Sequence, residues 1–515
     1  MKRTGARAHG GTGTPRVRHR VAWARGLAFA VPLCVGAAVP AAAQCPDGTP
    51  LPCGPRAAPP PPNSVAVLYL DNLSRDTADA YLADGLTEEV IIRLAQMPRL
   101  DVKSRFEVAR YRGRSAQQDP TSLGRQLNAA YLVLGSVQRA GDRVRLRYEV
   151  IRAGTRAQVG GDVIDRASSD LLTVESDIAR AVATAITGRL LPEERRRLAR
   201  PLTSDPLAYE EYLRGLQAMN SSYDEAALRS ALAHLNRAIA RDTTFAAAYA
   251  SKALLWTSLA DAYVSPREGY GQARAAALRA LALDSLQALA DAVLGAAIVT
   301  IDLDAREGER LGRRAVALNP HGDQNHGLLT LVFLAQGRID ESLTEARLAW
   351  EADSLFSNNG VWYAQALILN HRLDSAAALL PRLRAILPSA DVDAVEGMLL
   401  AAEGHLRDAV PLLDWRYYGG LVAGTYVRAL IARGDTAAAR ATVDSMIAAR
   451  AARYYNPMAV AKAYAALGDL DRGMEWLRRA FEERTMWLTY VRVDDELAPL
   501  RADPRYAALD RQLKF

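Results

Sequence analysis

Few residues in this chain of 515 residues have types and spacings that could perform chemistry. His321 and His326 lie close together with Asp323 between them, and imidazole and carboxylate groups are common metal ligands. No third ligand is evident nearby, so a metal site competes with ordinary polar residues on a loop. Phosphate-binding loops, nucleophile elbows, zinc-binding HExxH motifs and calcium loops are missing from the sequence. The sequence therefore predicts no enzyme, no metal and no cofactor.

Two cysteines, Cys45 and Cys53, flank a turn-rich segment and could form a disulfide. Cys34 lies in a segment that we expect to be removed, which leaves an even pair in an oxidising compartment. Such a bridge would stabilise this small loop by roughly 2 to 3 kcal/mol through loop-closure entropy. Metal binding by the pair is the alternative, but the neighbouring residues supply too few further ligands.

The basic character of the chain is confined to its first 43 residues. They hold seven lysines and arginines and no acid, so the net charge of +6 falls to −1 without them. An apolar run at 27–39 and the small residues Ala41, Ala42 and Ala43 follow, which is the order of a secretory signal peptide. We expect cleavage after Ala43 and export to the periplasm or cell envelope, with no nucleic-acid partner. An uncleaved membrane anchor and a lipoprotein at Cys45 are the alternatives.

Residues 44–64 contain eight prolines and little apolar bulk, which predicts a stiff extended tether. Beyond it, an α/β domain is predicted at 65–191. Residues 65–70 and 131–137 are continuously apolar, as in buried strands, and Gly141 with Asp142 indicates a hairpin turn. The apolar positions of residues 82–94 recur every four residues, which indicates a helix.

Two smaller groups of residues are secondary candidates for binding. Asp84 and Glu88 lie one helical turn apart and could form an acidic pair, but one water-facing side of an amphipathic helix is the favoured explanation. Trp415, Arg416 and Tyr417 interrupt the downstream pattern, and aromatic residues with arginine are typical of binding surfaces. Packing across an irregular helix pair is the alternative for this cluster.

The first domain resembles a known family through VAVL at 65–68, YLADGLTE at 81–88 and YLVLGSV at 131–137. These residues are similar to the N-terminal domain of the translocation protein TolB and to FlgO-like domains. The turn after the first strand reads YLD, and no Trp follows the hairpin near Val159, so the sequence departs from the family at two points. The resemblance implies an envelope-associated or signalling-associated binding domain without catalytic residues.

The remainder of the chain is predicted to be helical and repetitive. The breakers Thr243, Ser285, Pro320, Ser354 and Pro388 are 42, 35, 34 and 34 residues apart. A period near 34 resembles the tetratricopeptide (TPR) repeat, which implies an all-α, right-handed superhelical solenoid. We count eight helix pairs at 207–485, after a linker at 192–206 and before a capping segment at 486–515. The 42-residue interval predicts an inserted, protruding loop at 261–268.

The inner helices of a TPR array line a groove that accepts an extended peptide or a helix. The positions at which the family contacts peptides fall here on a mixed set of amide, apolar and basic residues. They are Gln324, Leu331, Asn358, Val361, Gln365, Met458 and Lys462. We therefore predict a non-catalytic scaffold that binds a protein partner. One alternative is a sensory or regulatory protein whose α/β domain binds a ligand and relays it through the array, and the other is an enzyme with an unrecognised site.

Overall fold

The computed structural model describes residues 59–515 apart from 77–78, 115–116, 168–171, 200, 222–223, 355, 417–418 and 452–453. The predicted signal peptide, the pair Cys45 and Cys53, and Tyr417 lie outside the described residues. Among the described helices, none has both the length and the apolar character that crossing a bilayer requires.

A mixed sheet forms the first part of the fold, in the strand order β3-β1-β4-β5-β6, with β2 also paired to β4. The pairs of β1 with β3 and with β4, and of β2 with β4, are parallel, whereas β4–β5 and β5–β6 are antiparallel. The strands are β1 (Ser64–Val67), β2 (Asp71–Asn72), β3 (Asp101–Val102), β4 (Tyr131–Ala140), β5 (Arg143–Arg152) and β6 (Ala157–Ala167).

The structure confirms the buried strands and the two-residue hairpin turn, because Ala140 pairs with Arg143 across Gly141 and Asp142. Two strands were not predicted from the sequence. One is β2, in which Asp71 and Asn72 pair with β4, and the other is β6.

Five helices accompany the sheet, and the first of them is covered on both sides. Because α1 contacts both α4 and α6, its charged residues Glu88, Glu89 and Arg93 are buried. The interpretation of α1 as half water-facing is therefore wrong. The helices are α1 (Ala80–Ala95), α2 (Arg105–Ala109), α3 (Pro120–Gln126), α4 (Val174–Thr187) and α5 (Pro192–Ala199).

Eight consecutive helix pairs follow in the described part of the chain. They are α6 (Pro206–Ser221) with α7 (Glu225–Arg241), α8 (Ala246–Leu259) with α9 (Pro266–Leu283), α10 (Ala288–Ile301) with α11 (Ala305–Leu318), α12 (Asp323–Ala335) with α13 (Ile339–Ala352), α14 (Ser357–Leu369) with α15 (Leu373–Arg384), α16 (Ser389–Ala402) with the four-residue α17 (Leu406–Ala409), α18 (Gly419–Ala432) with α19 (Thr436–Ala449), and α20 (Pro457–Ala466) with α21 (Leu470–Glu483).

Small residues bring neighbouring helices of the array close together. Ser342, Ala346 and Ala349 are all buried on one face of α13. In the preceding pair, a Cβ atom added to Gly295 would lie 2.9 Å from the carbonyl oxygen of Gly308. A larger side chain there would push α10 and α11 apart.

The inserted residues after α8 do not protrude as a long loop. Ser265 caps the N-terminus of α9, and Pro266 is already in its first turn, so the insertion mainly lengthens that helix. Asp261 has a positive φ of 62° and accepts hydrogen bonds from the Thr485 hydroxyl and from the Met486 amide, the latter at 3.0 Å. The loop is thereby tied to the end of the array.

The last thirty residues pack back onto the array. They form two short 3₁₀ helices, Met486–Tyr490 and Asp495–Leu497, followed by α22 (Ala498–Arg501) and α23 (Tyr506–Asp510). Their side chains Leu488, Val491 and Leu497 belong to the same apolar core as α14 to α21. The segment 486–515 is called the C-terminal segment below.

The apolar core of the sheet continues without a break into the first helix pairs. Leu86 of α1, Tyr209 and Leu213 of α6 and Phe245 beside α8 are fully buried members of one cluster. A Cβ atom added to Gly85 would lie 2.8 Å from Cδ2 of Leu213, so α1 and α6 approach closely. The sheet domain therefore shares its core with the start of the array.

Candidate functional site

A cavity of about 1690 Å³ lies between the sheet domain and the inner helices of the array. We call it the cleft. Small-molecule pockets usually measure about 300 to 1,000 Å³, so this space exceeds the needs of a small ligand. From the sheet domain the cleft is lined by α1, β3 and α2, and from the array mainly by the N-terminal ends of inner helices. On the array side, the lining includes some of the residues in 247–254, 286–289 and 319–326, together with Asp353 and Phe356.

Repeated side-chain amides hold the array side of the cleft in place. Asn325 Nδ2 donates to the carbonyl oxygens of Ala315, at 3.3 Å, and Asn319, at 3.0 Å. One repeat later, Asn359 Nδ2 donates to the carbonyls of Ala349, at 3.3 Å, and Asp353, at 2.8 Å. Asn319 and Asp353 are the C-cap residues of α11 and α13, whose carbonyls a helix end leaves without an intrahelical partner, whereas the carbonyls of Ala315 and Ala349 accept the amide as a second donor. Each amide thus fixes the turn that borders the cleft.

Arg105 reaches across the cleft from α2 to the array. Its guanidinium lies 2.5 Å from the Asp353 carboxylate, which follows α13, and 3.8 Å from the Glu88 carboxylate of α1. Tyr69 Oη donates to Glu88 at 3.0 Å. A capping box between Ser104 and Glu107 starts α2 and so places Arg105 at its first position.

Burial and the close approach of like charges shift the pKa values of this network. Burial raises the pKa of Glu88, although Arg105 partly offsets the effect. Burial and the Asp353 carboxylate together raise the pKa of Asp323. Burial would lower the pKa of Arg105, but Asp353 and Glu88 outweigh it and raise the pKa above its usual value. Arg105 therefore remains charged between acidic neighbours.

The two histidines of the sequence prediction do not converge on one point. His326 is engaged through both ring nitrogens, with Nδ1 2.5 Å from Glu345 and Nε2 2.9 Å from the carbonyl oxygen of Pro320. Asp323 accepts from Gln324 at 2.6 Å, and His321 lies on the cleft wall. Within the described ranges, no group of three or more His, Cys, Asp or Glu residues could hold a metal ion.

The predicted groove residues separate into two groups. Gln324 and Asn358 are half-buried, and Gln324 lines the cleft. The other members of the set are buried within the protein. They are Leu331, Val361, Gln365, Met458 and Lys462.

The C-terminal segment explains why two polar members of that set are buried. Gln365 Oε1 accepts a hydrogen bond from Tyr490 Oη at 3.0 Å, so the expectation that this amide faces an open groove is wrong. Lys462 Nζ lies 2.7 Å from Asp494 and 3.0 Å from Glu496. Burial opposes the charge on Lys462, but the two carboxylates raise its pKa above the usual value.

The secondary candidates serve as structural contacts in this chain. Asp84 lies 3.4 Å from Arg112, and Glu88 belongs to the Arg105 network. Trp415 is buried and packs edge-on against Tyr455, with ring centroids 5.7 Å apart. The Arg416 guanidinium lies 4.6 Å from the centre of the Trp415 ring. Trp415 therefore packs between irregular helices, which is the alternative considered for this cluster in the sequence analysis.

Sequence reasoning missed Arg105, Asp353 and the apolar residues that remain exposed in the cleft. Leu286 is 54% exposed and Ile92 is 38% exposed, and both line the cleft. The only local signal was the capping-box pattern of Ser104 and Glu107, which marks a helix start beside Arg105. Nothing in the sequence near residue 105 indicates Asp353, because the two are 248 positions apart.

A comparison with models of known protein families finds no match. "Putative adenylate cyclase 3" of Rhizobium meliloti (strain 1021) is 33% identical over 205 residues, which make up 39% of this chain. The chain spans about a third of that relative's length, 34%.

Solved structures with similar helices include YrrB, described as a TPR protein with an unusual peptide-binding site (20% identity, TM-score 0.26, 36% of this chain and 91% of that one). PilW, a type IV pilus biogenesis factor, is another (15% identity, TM-score 0.31, 40% of this chain and 90% of that one). At such scores the likeness does not extend to the whole arrangement of helices. The repeat fold rests on the helix pairs and the 34-residue period.

Proposed function

We propose that this chain is a non-catalytic interaction module that binds an extended segment of a protein partner in the cleft. The observation that carries the proposal is a space of about 1690 Å³ bordered by both the sheet domain and the array. The C-terminal segment already covers Gln365 and Lys462, which leaves the cleft side of the inner helices for a partner. Extended peptides commonly occupy such surfaces in helical repeat proteins.

The chemistry of the lining also supports a polypeptide partner. Exposed apolar side chains, Leu286 and Ile92, lie beside charged and amide groups such as Gln324 and Arg105. Protein interfaces combine apolar anchors with a polar surround in this way. A site for a small ion or a compact metabolite would instead surround it closely with a few converging polar groups.

The proposal includes export and an envelope-associated partner. It rests on the basic, apolar and small-residue order of residues 1–43 and on the resemblance of the first domain to TolB and FlgO-like domains. We expect N-terminal sequencing of the secreted protein to begin at Gln44 and non-reducing peptide mapping to join Cys45 to Cys53. An intact Met1 with free thiols would contradict this part.

A second candidate is a sensory or regulatory role, in which a ligand in the cleft is detected by the sheet domain and passed to the array. Arg105 favours it, because one side chain contacts acids from both parts. The match to a protein named as an adenylate cyclase, over a third of its length, supports a signalling context. We expect no cyclic AMP from ATP with the purified chain, and measurable formation would favour an enzyme instead.

Two matched leucines test the main proposal. Leu286 lies in the cleft, whereas Leu278 on α9 is similarly exposed, at 49%, and is not part of the cleft lining. The partner is identified first by affinity purification of the exported protein and mass spectrometry. We expect Leu286→Glu to weaken binding of the purified partner by about tenfold or more, as for an interface anchor. Leu278→Glu should leave binding unchanged, and equal effects of the two changes would reject the cleft.

A further inference from the structure

Two of the regions in which the sheet domain contacts the array differ in character. One is the apolar core that joins α1 to α6 and continues to Phe245. The other is polar and combines the ion pair between Arg105 of α2 and Asp353, which follows the fourth helix pair, with a hydrogen bond between His321 and the backbone of Leu100. The wall of the cleft between these two places includes residues 247–254, 286–289 and 319–326 in part.

The apolar contact resists separation. Tyr209 and Leu213 are buried completely against α1, and the Tyr212 and Phe245 rings lie 4.9 Å apart. Any separation of α1 from α6 would expose these side chains to water, which is unfavourable in proportion to the apolar area exposed. This end of the cleft therefore stays closed while the protein is folded.

The polar contact has a different physical basis. The Arg105 side chain is 24% exposed and the Asp353 side chain is 3% exposed, so forming this pair removes both charges from much of their water. Separating the pair returns that water, and this hydration offsets much of the lost attraction, whereas separating a continuous apolar core has no such compensation. Arg105 also retains Glu88 as a second acidic neighbour at 3.8 Å. Its charge would thus stay partly compensated after it left Asp353.

We propose that the Arg105–Asp353 ion pair is a latch that controls access to the cleft, with the α1–α6 core as the hinge. Breaking the pair, together with the hydrogen bond between His321 and the backbone of Leu100, lets α2 and the neighbouring β3 move away from the parts of the array that hold His321 and Asp353. The latch is a property of the free chain. Only its consequence for a partner, faster entry into the cleft, rests on the proposed function.

Hydrogen exchange of the full chain, followed by mass spectrometry, tests the latch without any partner. We expect Arg105→Ala and Asp353→Asn each to speed exchange about tenfold in peptides covering residues 101–110 and 319–326, because local opening governs exchange there. The double variant should speed exchange no more than Arg105→Ala alone does, since Arg105→Ala already removes the pair with Asp353. Arg347→Ala is the matched control, because its pair with Glu351 on α13 lies at 2.7 Å but is exposed on both sides.

The pattern of exchange separates a latch from general damage. Wild-type rates in both Arg105→Ala and Asp353→Asn would overturn the proposal, as would an Arg347→Ala effect of equal size. If Arg105→Ala also speeds exchange in α18 to α21, it has destabilised the whole fold. The near-isosteric Asp353→Asn variant then decides, because its effect must stay confined to the cleft segments.

The partner provides a separate measurement. With the latch open, we expect the association rate of the purified partner to rise several-fold while Leu286→Glu still weakens binding. The latch variants could also show faster exchange confined to the cleft segments while the association rate of the partner stays unchanged. That result would keep the latch and reject the cleft as the binding site. If Asp353→Asn leaves the exchange rates unchanged and Leu286→Glu still weakens partner binding, the latch is rejected and the proposed function is kept.

Discussion

The two ends of the inner helices have different environments in this protein. Their N-terminal ends border the open cleft through Gln324 and Phe356, and the half-buried Asn358 lies in the helix that follows Phe356. Further along the same helices, Gln365 is covered by Tyr490, and in the last pair Lys462 is covered by Asp494 and Glu496. A single repeat pattern thus supplies both an interior contact and a binding surface. The difference comes from the C-terminal segment, which covers one end and leaves the other accessible.

The largest expected effect is at the covered end. Lys462→Ala would leave the largely buried carboxylates of Asp494 and Glu496 without their shared cation. Removing one partner of a buried ion pair typically costs about 3 to 5 kcal/mol, and we expect a loss of that size in the free energy of unfolding. Denaturant titration measures it. Lys514→Ala, at an exposed position, should change stability by less than about 0.5 kcal/mol.

A pH titration gives the next largest effect. Burial raises the pKa of Asp261, which binds the start of the C-terminal segment, to about 7. Above about pH 4 the Asp261 carboxyl group is therefore still protonated in the folded chain, whereas it has lost its proton in the unfolded chain. The free energy of unfolding should fall as the pH rises from about 4 to 7, by at most about 1.4 kcal/mol per pH unit, and then level off.

Asp261→Asn isolates that contribution, because asparagine also tolerates the positive φ of this position. The variant should show a smaller decrease in stability between pH 4 and 7 than the wild type does. Identical pH profiles would show that Asp261 titrates normally and that the covered end does not depend on its protonation.

The sequence predicted the repeats better than it predicted their surroundings. Periodic breakers such as Pro320 and Pro388, and small residues such as Ala349, are local signals that depend only on helix geometry. Strand β6 was missed because Gly160 and Gly161, which face the irregular register beside Val150, suggest a break in a strand.

The covering of the groove could not be predicted for a different reason. The repeat spacing places Gln365 and Lys462 in the first helices of their pairs, but it does not indicate what covers them. Tyr490 is 125 residues from Gln365, and no local pattern links the two. Arg105 and Asp353 are likewise distant in sequence. Such contacts depend on how the whole array curves, which propensity and spacing do not specify.

A smaller effect is expected at the hydrogen bond between Tyr490 and Gln365. Tyr490→Phe removes the hydroxyl and leaves the buried Gln365 Oε1 without this donor. The loss in the free energy of unfolding should be about 1 kcal/mol, as for a typical buried hydrogen bond. Thermal unfolding of the two proteins measures it. Equal stability would mean that water replaces the hydroxyl and that the covered end is less tightly closed.

The smallest effect on stability is expected at the cleft end. Asn358→Ala changes a half-buried residue and should alter the free energy of unfolding by less than about 0.5 kcal/mol. If the predicted groove contact is correct, the same variant binds the partner more weakly. Gln365→Ala should show the opposite pattern, in which the free energy of unfolding falls and the affinity for the partner is unchanged. If the two variants have the same effects on stability and on partner binding, the two ends of the inner helices do not differ in function.

The ties between distant helix pairs also bear on how this protein can evolve. Arg267 in the first turn of α9, in the second pair, donates to the carbonyl oxygen of Glu482 in the eighth pair, and the backbone of Lys514 pairs with Leu303 and Ala305 after α10. Open repeat arrays gain or lose units readily, because each unit touches only its neighbours. Here, duplicating or deleting one 34-residue unit would separate Arg267 from Glu482 and misplace the C-terminal segment. Selection should therefore hold the number of repeats constant, and variation in length should be confined to turns outside these contacts.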